Sequence, residues 1–232
     1  MADLTLFVLG LLARVLLAVL VIAVIVVPMA MGIYLWKGLS ALTRGSFELQ
    51  RLGHVIWRRN CYYTPGHLWL KPNGAARLLV GLDDLAQRLL PDVAAVQLPV
   101  PGSVVRAGDP LGRIHCTGGA IELHAPVSGQ VRTVNTGLER DPWLLHSDPY
   151  RRGWFVELQP SDDHYRGFPF GDVARKWLAS EDVRLANFFE RQLGVAAADG
   201  GELLLPPQQM LTPDQWETIR ASFLDIATEQ HG

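Results

Sequence analysis

The sequence predicts a mainly β domain of short strands, preceded by one transmembrane helix and followed by C-terminal α-helices. Three observations predict it. Between Val15 and Trp36 no side chain is charged, and Leu, Val and Ile dominate. From about residue 61 to 165, short apolar-alternating runs are punctuated by turn sequences such as Lys71-Pro72-Asn73-Gly74 and Ala125-Pro126-Val127-Ser128-Gly129. Beyond residue 165 the apolar residues recur at helical spacing instead.

The N-terminal segment, residues 1–36, accounts for a composition that is 49% hydrophobic and only 19% charged. A helix over residues 15–36, rising about 1.5 Å per residue, covers roughly 30 Å, the thickness of a bilayer's hydrocarbon core. Pro28 is tolerated inside such a helix, because the freed carbonyl is re-satisfied locally. A cleaved signal peptide fits less well, since no basic segment precedes the run and no small-x-small site follows it. Lys37, Arg44, Arg51, Arg58 and Arg59 crowd the C-terminal side, opposed by Glu48 alone. The positive-inside rule then predicts an inner (cytoplasmic) membrane protein with its N-terminus outside and its C-terminal domain cytoplasmic.

Residues 37–60 form the basic juxtamembrane segment. Leu42, Leu49, Leu52 and Ile56 recur there at helical spacing, which predicts an amphipathic helix lying along headgroups or a neighbouring subunit. The whole chain carries a net charge of −2, so the part beyond this basic collar is acidic. An acidic domain of that kind argues against nucleic acid as a partner.

The β domain spans residues 61–165. Tyr63-Thr64-Pro65-Gly66-His67-Leu68-Trp69-Leu70 predicts the opening strand, Lys71 to Gly74 a turn, and Ala75 to Val80 the return strand. In Val80-Gly81-Leu82-Asp83-Asp84-Leu85-Ala86-Gln87, Asp83 caps a short helix. A strand over Val93 to Leu98 follows, then Pro99-Val100-Pro101-Gly102 and the turn Gly108-Asp109-Pro110. Ile114 to Val131, IHCTGGAIELHAPVSGQV, predicts a β-hairpin with a Thr117-Gly118-Gly119 apex that runs on into another strand.

These motifs resemble those of the glycine cleavage system H proteins, a lipoyl-domain-like family, over residues 63 to about 160. Tyr63-Thr64 with His67 and Trp69 matches the family's Tyr-Thr, two residues, His-x-Trp, and Val80 to Gln87 its Val-Gly-Ile-Thr-x-x-Ala-Gln. Asn135 with Leu138, Pro142 with Leu144, Asp148-Pro149-Tyr150 and Gly153-Trp154 follow in the family's order. The resemblance implies a barrel-sandwich hybrid whose hairpin apex bears a lipoylated lysine that ferries an aminomethyl group. Counting back from Ala125-Pro126-Val127-Ser128-Gly129, Gly118 occupies that lysine position, and His115 replaces the acid three residues before it. The only lysines are Lys37, Lys71 and Lys176, none of them in the hairpin. The expectation is therefore a degenerate lipoyl position and no bound cofactor.

Other chemistries find little support. Cys116 with His115, His124 and His146 could suggest a thiol carrier or a metal site, but the chain has no Cys-x-x-Cys and no His-x3-His spacing. Cys116 reads as a small buried hydrophobe on a strand, and a Cys61–Cys116 disulfide is not expected in a reducing compartment. Ser128 lies in a turn rather than a Gly-x-Ser-x-Gly elbow, and the adjacent Asp162, Asp163 and His164 cannot form a charge relay. Gly118-Gly119 precedes a strand, so it lacks the helix N-terminus that binds phosphate. No catalytic residue, metal ligand or small-molecule substrate is expected.

The C-terminal extension, residues 166–232, predicts helices over Asp172 to Leu178 and Ser180 to Leu193. The second is capped by Ser180 and stopped by Gly194, with Val183, Ala186, Phe189 and Leu193 on one face. Residues 195–211 read as a loop. The last helix opens with a capping box of Thr212 and Gln215, Pro213 at the first helical position, and a staple of Leu211 with Trp216. Trp216, Ile219, Phe223 and Ile226 form a stripe that packs on the chain's own β domain or docks to another subunit.

The functional expectation is a non-catalytic, membrane-anchored accessory or structural subunit of a larger energy-converting or electron-transfer complex. Its partners would be integral-membrane subunits and the lipid bilayer, met through Leu42, Leu49, Leu52, Trp216, Phe223 and Ile226. One alternative is a periplasmic adaptor resembling the membrane-fusion proteins of export pumps, although the long helical hairpin of those adaptors is missing. Another is a carrier that uses Cys116 in place of a lipoyl arm.

Overall fold

The computed structural model describes residues 2–21, 25–34, 49–52, 55–74, 76–117, 119–193 and 212–224. The chain divides into two units, Met1–Glu48 and Leu49–Gly232. In the first unit, helix α1 (Ala2–Val21) is followed by a second helical stretch, α2 (25–34). Among the described residues, no helix is long and apolar enough to cross a membrane. The transmembrane helix expected over Val15–Trp36 is thus not found. Helix α1 begins well before Val15, takes in Asp3 and Arg14, and ends at Val21. Backbone hydrogen bonding sets where a helix starts and stops, and here its limits do not coincide with those of the uncharged run.

The second unit starts with a hairpin of β1 (Leu49–Leu52) and β2 (Val55–Arg58), paired from Leu49↔Arg58 to Leu52↔Val55. The amphipathic helix expected over residues 37–60 is corrected to this hairpin wherever the segment is described, and Leu42 lies outside the described residues. Val55 and Trp57 are both buried, and side chains two apart share one face only in a strand. Leu49 and Leu52 pack beside them on a cluster formed by Trp57, Cys61, Tyr63, Trp69, Tyr150, Ala174 and Leu178. Polar bonds stitch the hairpin to the rest of the unit. The Ile56 N–H donates to Asp84 Oδ2 (3.0 Å), and the Tyr150 hydroxyl donates to the Ile56 carbonyl (2.9 Å). Burial pushes the Asp84 carboxyl above its ordinary range, opposed by the bond from Ile56.

The remaining strands are β3 (Tyr62–Tyr63), β4 (Leu68–Pro72), β5 (Leu78–Leu82), β6 (Val93–Gln97), β7 (Val104–Val105), β8 (Pro110–Cys116), β9 (Gly119–His124), β10 (Gly129–Val134) and β11 (Trp154–Pro160). They form a six-stranded sheet ordered β3-β4-β5-β11-β10-β7 and a three-stranded sheet ordered β6-β8-β9. Helix α3 (Asp84–Leu89) follows β5, and two single turns, α4 (Gly137–Arg140) and α5 (Leu144–Ser147), connect β10 to β11. One core is shared by both sheets, with Leu70, Val80 and Leu158 from the larger sheet and Ile114, Ile121 and Leu123 from the smaller. The mainly β domain with C-terminal helices is as expected. The return strand, however, is Leu78–Leu82 rather than Ala75–Val80, because the Asn73 N–H donates to the Arg77 carbonyl (2.9 Å) and widens the turn.

Gly129 opens β10 opposite Pro160. A Cβ there would run into the Gln159 carbonyl and the Pro160 Cα, both backbone atoms that cannot turn aside. Gly129→Ala is expected to destabilise the fold by about 1–3 kcal/mol, the usual cost of overpacking. Urea unfolding reads this as a lowered midpoint at an unchanged slope. An unchanged midpoint would show that the β10–β11 ladder is looser than described.

After β11 comes α6 (Gly171–Leu193), one continuous helix rather than the two expected. Ser180 does not cap a second helix. Its hydroxyl donates back to the Trp177 carbonyl (2.6 Å), which leaves the helix unbroken. The buried face is Ala174, Leu178, Leu185 and Phe189, while Val183, expected on that face, is 59% exposed. Helix α7 (Pro213–Ile219) has the predicted capping box, with the Gln215 N–H donating to Thr212 Oγ1 (3.3 Å) and the Thr212 N–H to Gln215 Oε1 (2.9 Å). It passes into a π-helical turn, Arg220–Leu224. The predicted loop over 195–211, Leu211 of the staple, and Ile226 lie outside the described residues.

Candidate functional site

The hairpin of β8 and β9 pairs from Pro110↔His124 to Cys116↔Gly119, with a register shift between Pro110 and Gly112, so the chain reverses between Cys116 and Gly119. Leu111, Ile114, Ile121 and Leu123 point into the core, and His115 and Ala120 face outward. The Thr117 N–H donates to the Asp92 carbonyl (3.0 Å), which ties the apex to the residue before β6. Gly118 itself lies outside the described residues. Below the hairpin, the Ser128 hydroxyl accepts from the Ala107 N–H (3.0 Å), so this serine holds the Pro126–Gly129 turn rather than serving as a nucleophile.

The other candidates separate in space. His115 stands opposite Ala120 near the apex, whereas His124 stands opposite Pro110 at the base, with its Nδ1–H donating to the Gly108 carbonyl (3.0 Å). The two histidines therefore do not face each other. Cys116 is half-buried, and burial pushes its thiol up to about 12, so it stays protonated at neutral pH and lacks the thiolate a carrier needs. Neither Cys61 nor Cys116 takes part in a disulfide. Among the described residues no group of three His, Cys, Asp or Glu is placed to hold a metal ion. Asp162 and His164 form an exposed pair 3.1 Å apart, with no nucleophile that sequence reading had singled out beside them.

The interface candidates are likewise divided. Phe223 and Ile219 are fully buried and Trp216 is partly buried, all packed on the domain's main core. The described part of the terminal stripe, Trp216, Ile219 and Phe223, packs on this chain's own core, so Phe223 is not presented to another subunit. Leu49 and Leu52 are partly covered by the Trp57–Trp69 cluster.

Sequence reading missed a second constellation. His67 lies in the tight turn between β3 and β4, pinned by its N–H to the Thr64 carbonyl (3.0 Å) and by its carbonyl to the Asp83 N–H (2.9 Å). Its backbone is left-handed, with φ 55°. The ring is completely buried, and Nδ1–H donates to Asp83 Oδ2 at 2.9 Å. The other Asp83 oxygen accepts from the Ala86 N–H (2.9 Å) and so caps α3. Glu181 of α6 brings Oε2 to 3.6 Å from His67 Nε2. Burial alone would lower the imidazole pKa, but the Asp83 and Glu181 carboxylates outweigh it and raise the value to about 9. At neutral pH His67 is a buried cation between two acids. Burial would raise Glu181, yet its pairing with His67 and Arg184 holds it below the usual carboxylate range. One signal was legible: Asp83 stands where the resembled motif has threonine, sixteen residues after the motif histidine. Glu181 carried no such signal, because only folding brings α6 to this turn.

A family model described as "Glycine cleavage H-protein" matches residues 61–166. The glycine cleavage system H protein of Mycobacterium avium is 45% identical over 101 residues, covering 44% of this chain and 76% of that protein. The chain belongs to the glycine cleavage H-protein family. The corresponding protein of Mycobacterium tuberculosis is 43% identical over 98 residues, covering 42% of this chain and 73% of that protein. A crystal structure of the Mycobacterium marinum H protein matches at 34% identity and a TM-score of 0.42, covering 47% of this chain and 95% of that one.

Membership in the H-protein family overturns two expectations. The chain is not supported as a membrane-anchored accessory subunit, nor as an export-pump adaptor or a Cys116 carrier, because its relatives are glycine cleavage system H proteins. The inner-membrane placement also fails, since no described helix is long and apolar enough to cross a membrane. The lipoyl group associated with H proteins needs an amine at the hairpin apex to form its amide. The residues from Pro110 to His124 include no lysine, so this apex does not fit that group.

Proposed function

We propose that this chain serves the glycine cleavage system as an H-protein-family docking module, one that meets the system's other proteins through the family surface without carrying a lipoyl group. Gly118 carries the reading. The hairpin has paired strands and a buried face, yet the position that the family resemblance reserves for lysine has no side chain at all. A domain in that state retains shape and surface for recognition and has lost the group that moves the substrate fragment. Residues 61–165 are the family module in this reading, and residues 166–232 are a helical extension added to it. The module is not itself a catalyst.

The test has two arms. In a reconstituted glycine cleavage reaction driven by an authentic lipoylated H protein, an excess of this chain should slow turnover by competing for the shared protein partners. After exposure to a lipoate ligase its intact mass should be unchanged, while the Gly118→Lys variant with His115→Glu should gain one lipoyl group. Support of glycine cleavage by this chain alone, a lipoyl group on Lys37, Lys71 or Lys176, or a turnover rate indifferent to the excess would each defeat the proposal.

A further inference from the structure

We infer that His67 and Asp83 form a carboxylate-binding site, and that helix α6 fills it from within the chain with Glu181 as an internal ligand. The receptor half is built from residues inside the family match, 61–166, and the occupant comes from outside it. Independently of any role in glycine cleavage, His67 is held rigidly and its second ring nitrogen lacks a hydrogen-bond partner among the described residues.

His67 is fixed at every point except Nε2. Its backbone is pinned on both sides, and Asp83 takes Nδ1–H at 2.9 Å, so the ring cannot turn and Nε2 must face α6. Nε2 is completely buried and has no hydrogen-bond partner among the described residues. Glu181 Oε2 at 3.6 Å is an ion-pair neighbour and lies beyond the roughly 2.7–3.2 Å of a hydrogen bond. Two aromatic rings flank the gap, Trp177 with its centroid 5.4 Å from the imidazole and Phe223 at 6.4 Å. Such walls exclude water and strengthen any charge-assisted bond made between them.

The occupant sits short of the receptor for a visible reason. Arg184, one turn further along α6, donates from Nε to the same Glu181 oxygen at 2.7 Å. The Arg184 guanidinium is itself anchored, lying 4.1 Å over the Phe223 ring and donating from Nη1 to the Ser222 carbonyl at 3.3 Å. Glu181 is therefore drawn toward its own helix and leaves the imidazolium under-satisfied. A free carboxylate of acetate size carries no such tether and can close the last step to Nε2–H. The charged groups facing the ring are Asp83 from the turn before α3 and Glu181 from α6, with Arg184 behind the latter. The ligand class that this donor set selects is a small carboxylate.

The experiment is chemical rescue in the full-length chain. Glu181→Ala should lower the melting temperature by about 3 °C or more, on the scale expected for a chain of this size. Sodium acetate, titrated against sodium chloride at matched ionic strength, should restore the loss saturably and shift the His67 ring resonances. The wild type, already occupied, should respond to the two salts alike. Adding His67→Gln to Glu181→Ala should abolish the rescue. If that double variant does not fold, rescue of the single variant should instead disappear as pH rises and the imidazolium is lost, at a pH below the wild type's value of about 9 because Glu181 no longer helps to raise it. A Glu181→Ala protein that melts like the wild type, or one that acetate and chloride affect equally, overturns the inference.

Discussion

Asp83→Ala is expected to destabilise the protein by about 3–5 kcal/mol, the range for removing one partner of a buried ion pair. The magnitude follows from what alanine leaves behind. His67 is completely buried and positively charged at neutral pH, and Asp83 is its one hydrogen-bonded anion. Glu181, at 3.6 Å and already engaged by Arg184, cannot replace it. The same change removes the N-cap of α3, since Asp83 Oδ1 accepts from the Ala86 N–H, and a lost cap alone costs about 1 kcal/mol. Asp83→Asn separates the two effects, because the amide oxygen can still cap the helix while the charge is gone. Denaturant unfolding should place Asn between wild type and Ala. Finding both variants within about 0.5 kcal/mol of wild type would mean that the His67–Asp83 pair does not hold the fold, since only substitutions remote from such features fall in that range.

Stability is expected to fall on the alkaline side by on the order of 3 kcal/mol, the free-energy equivalent of raising one imidazole from 6.5 to about 9. The sign is set by linkage. The folded state binds the His67 proton more tightly than the unfolded state, so this contribution is fully present below about pH 6.5 and lost as pH rises through about 9. Glu181 acts in the opposite direction. Its carboxyl is held below the ordinary range, so its contribution is present above that range and lost as pH falls through the lowered value. Maximal stability should therefore lie between these limits. Urea midpoints measured from pH 6 to 10 should decline and then level off, and His67→Gln should flatten the decline. An equal decline in that variant would assign it to other groups.

The fold of the β domain was legible because its signals are local. Asn-Gly and Pro-Val-Ser-Gly turns, strand-length alternation, the Asp83 cap and the Thr212–Gln215 box each depend on residues within a few positions of one another. Where the reading failed, two structures shared one pattern. Leu49, Leu52 and Ile56 satisfy a helical spacing, but Trp57 gains more from burial beside Trp69 and Tyr150 than the segment gains from helix propensity, and the hairpin results. Ser180 can cap a helix or bond back within one, and the continuous packing of Leu178 and Leu185 decides for the latter.

By itself the sequence determined the mainly β character, the helix caps at Asp83 and Thr212 and, through Gly118, the lack of an amine at the hairpin apex. These depend on side-chain identity and short-range spacing, which a chain carries before it folds. Only the tertiary structure decided that β1 and β2 form a hairpin, that Phe223 is core rather than interface, and that His67 lies between Asp83 and Glu181. Those outcomes rest on contacts between residues far apart along the chain, 114 positions in the case of His67 and Glu181. Their free energy comes from burial and from charges brought together, and neither has a counterpart in local propensity.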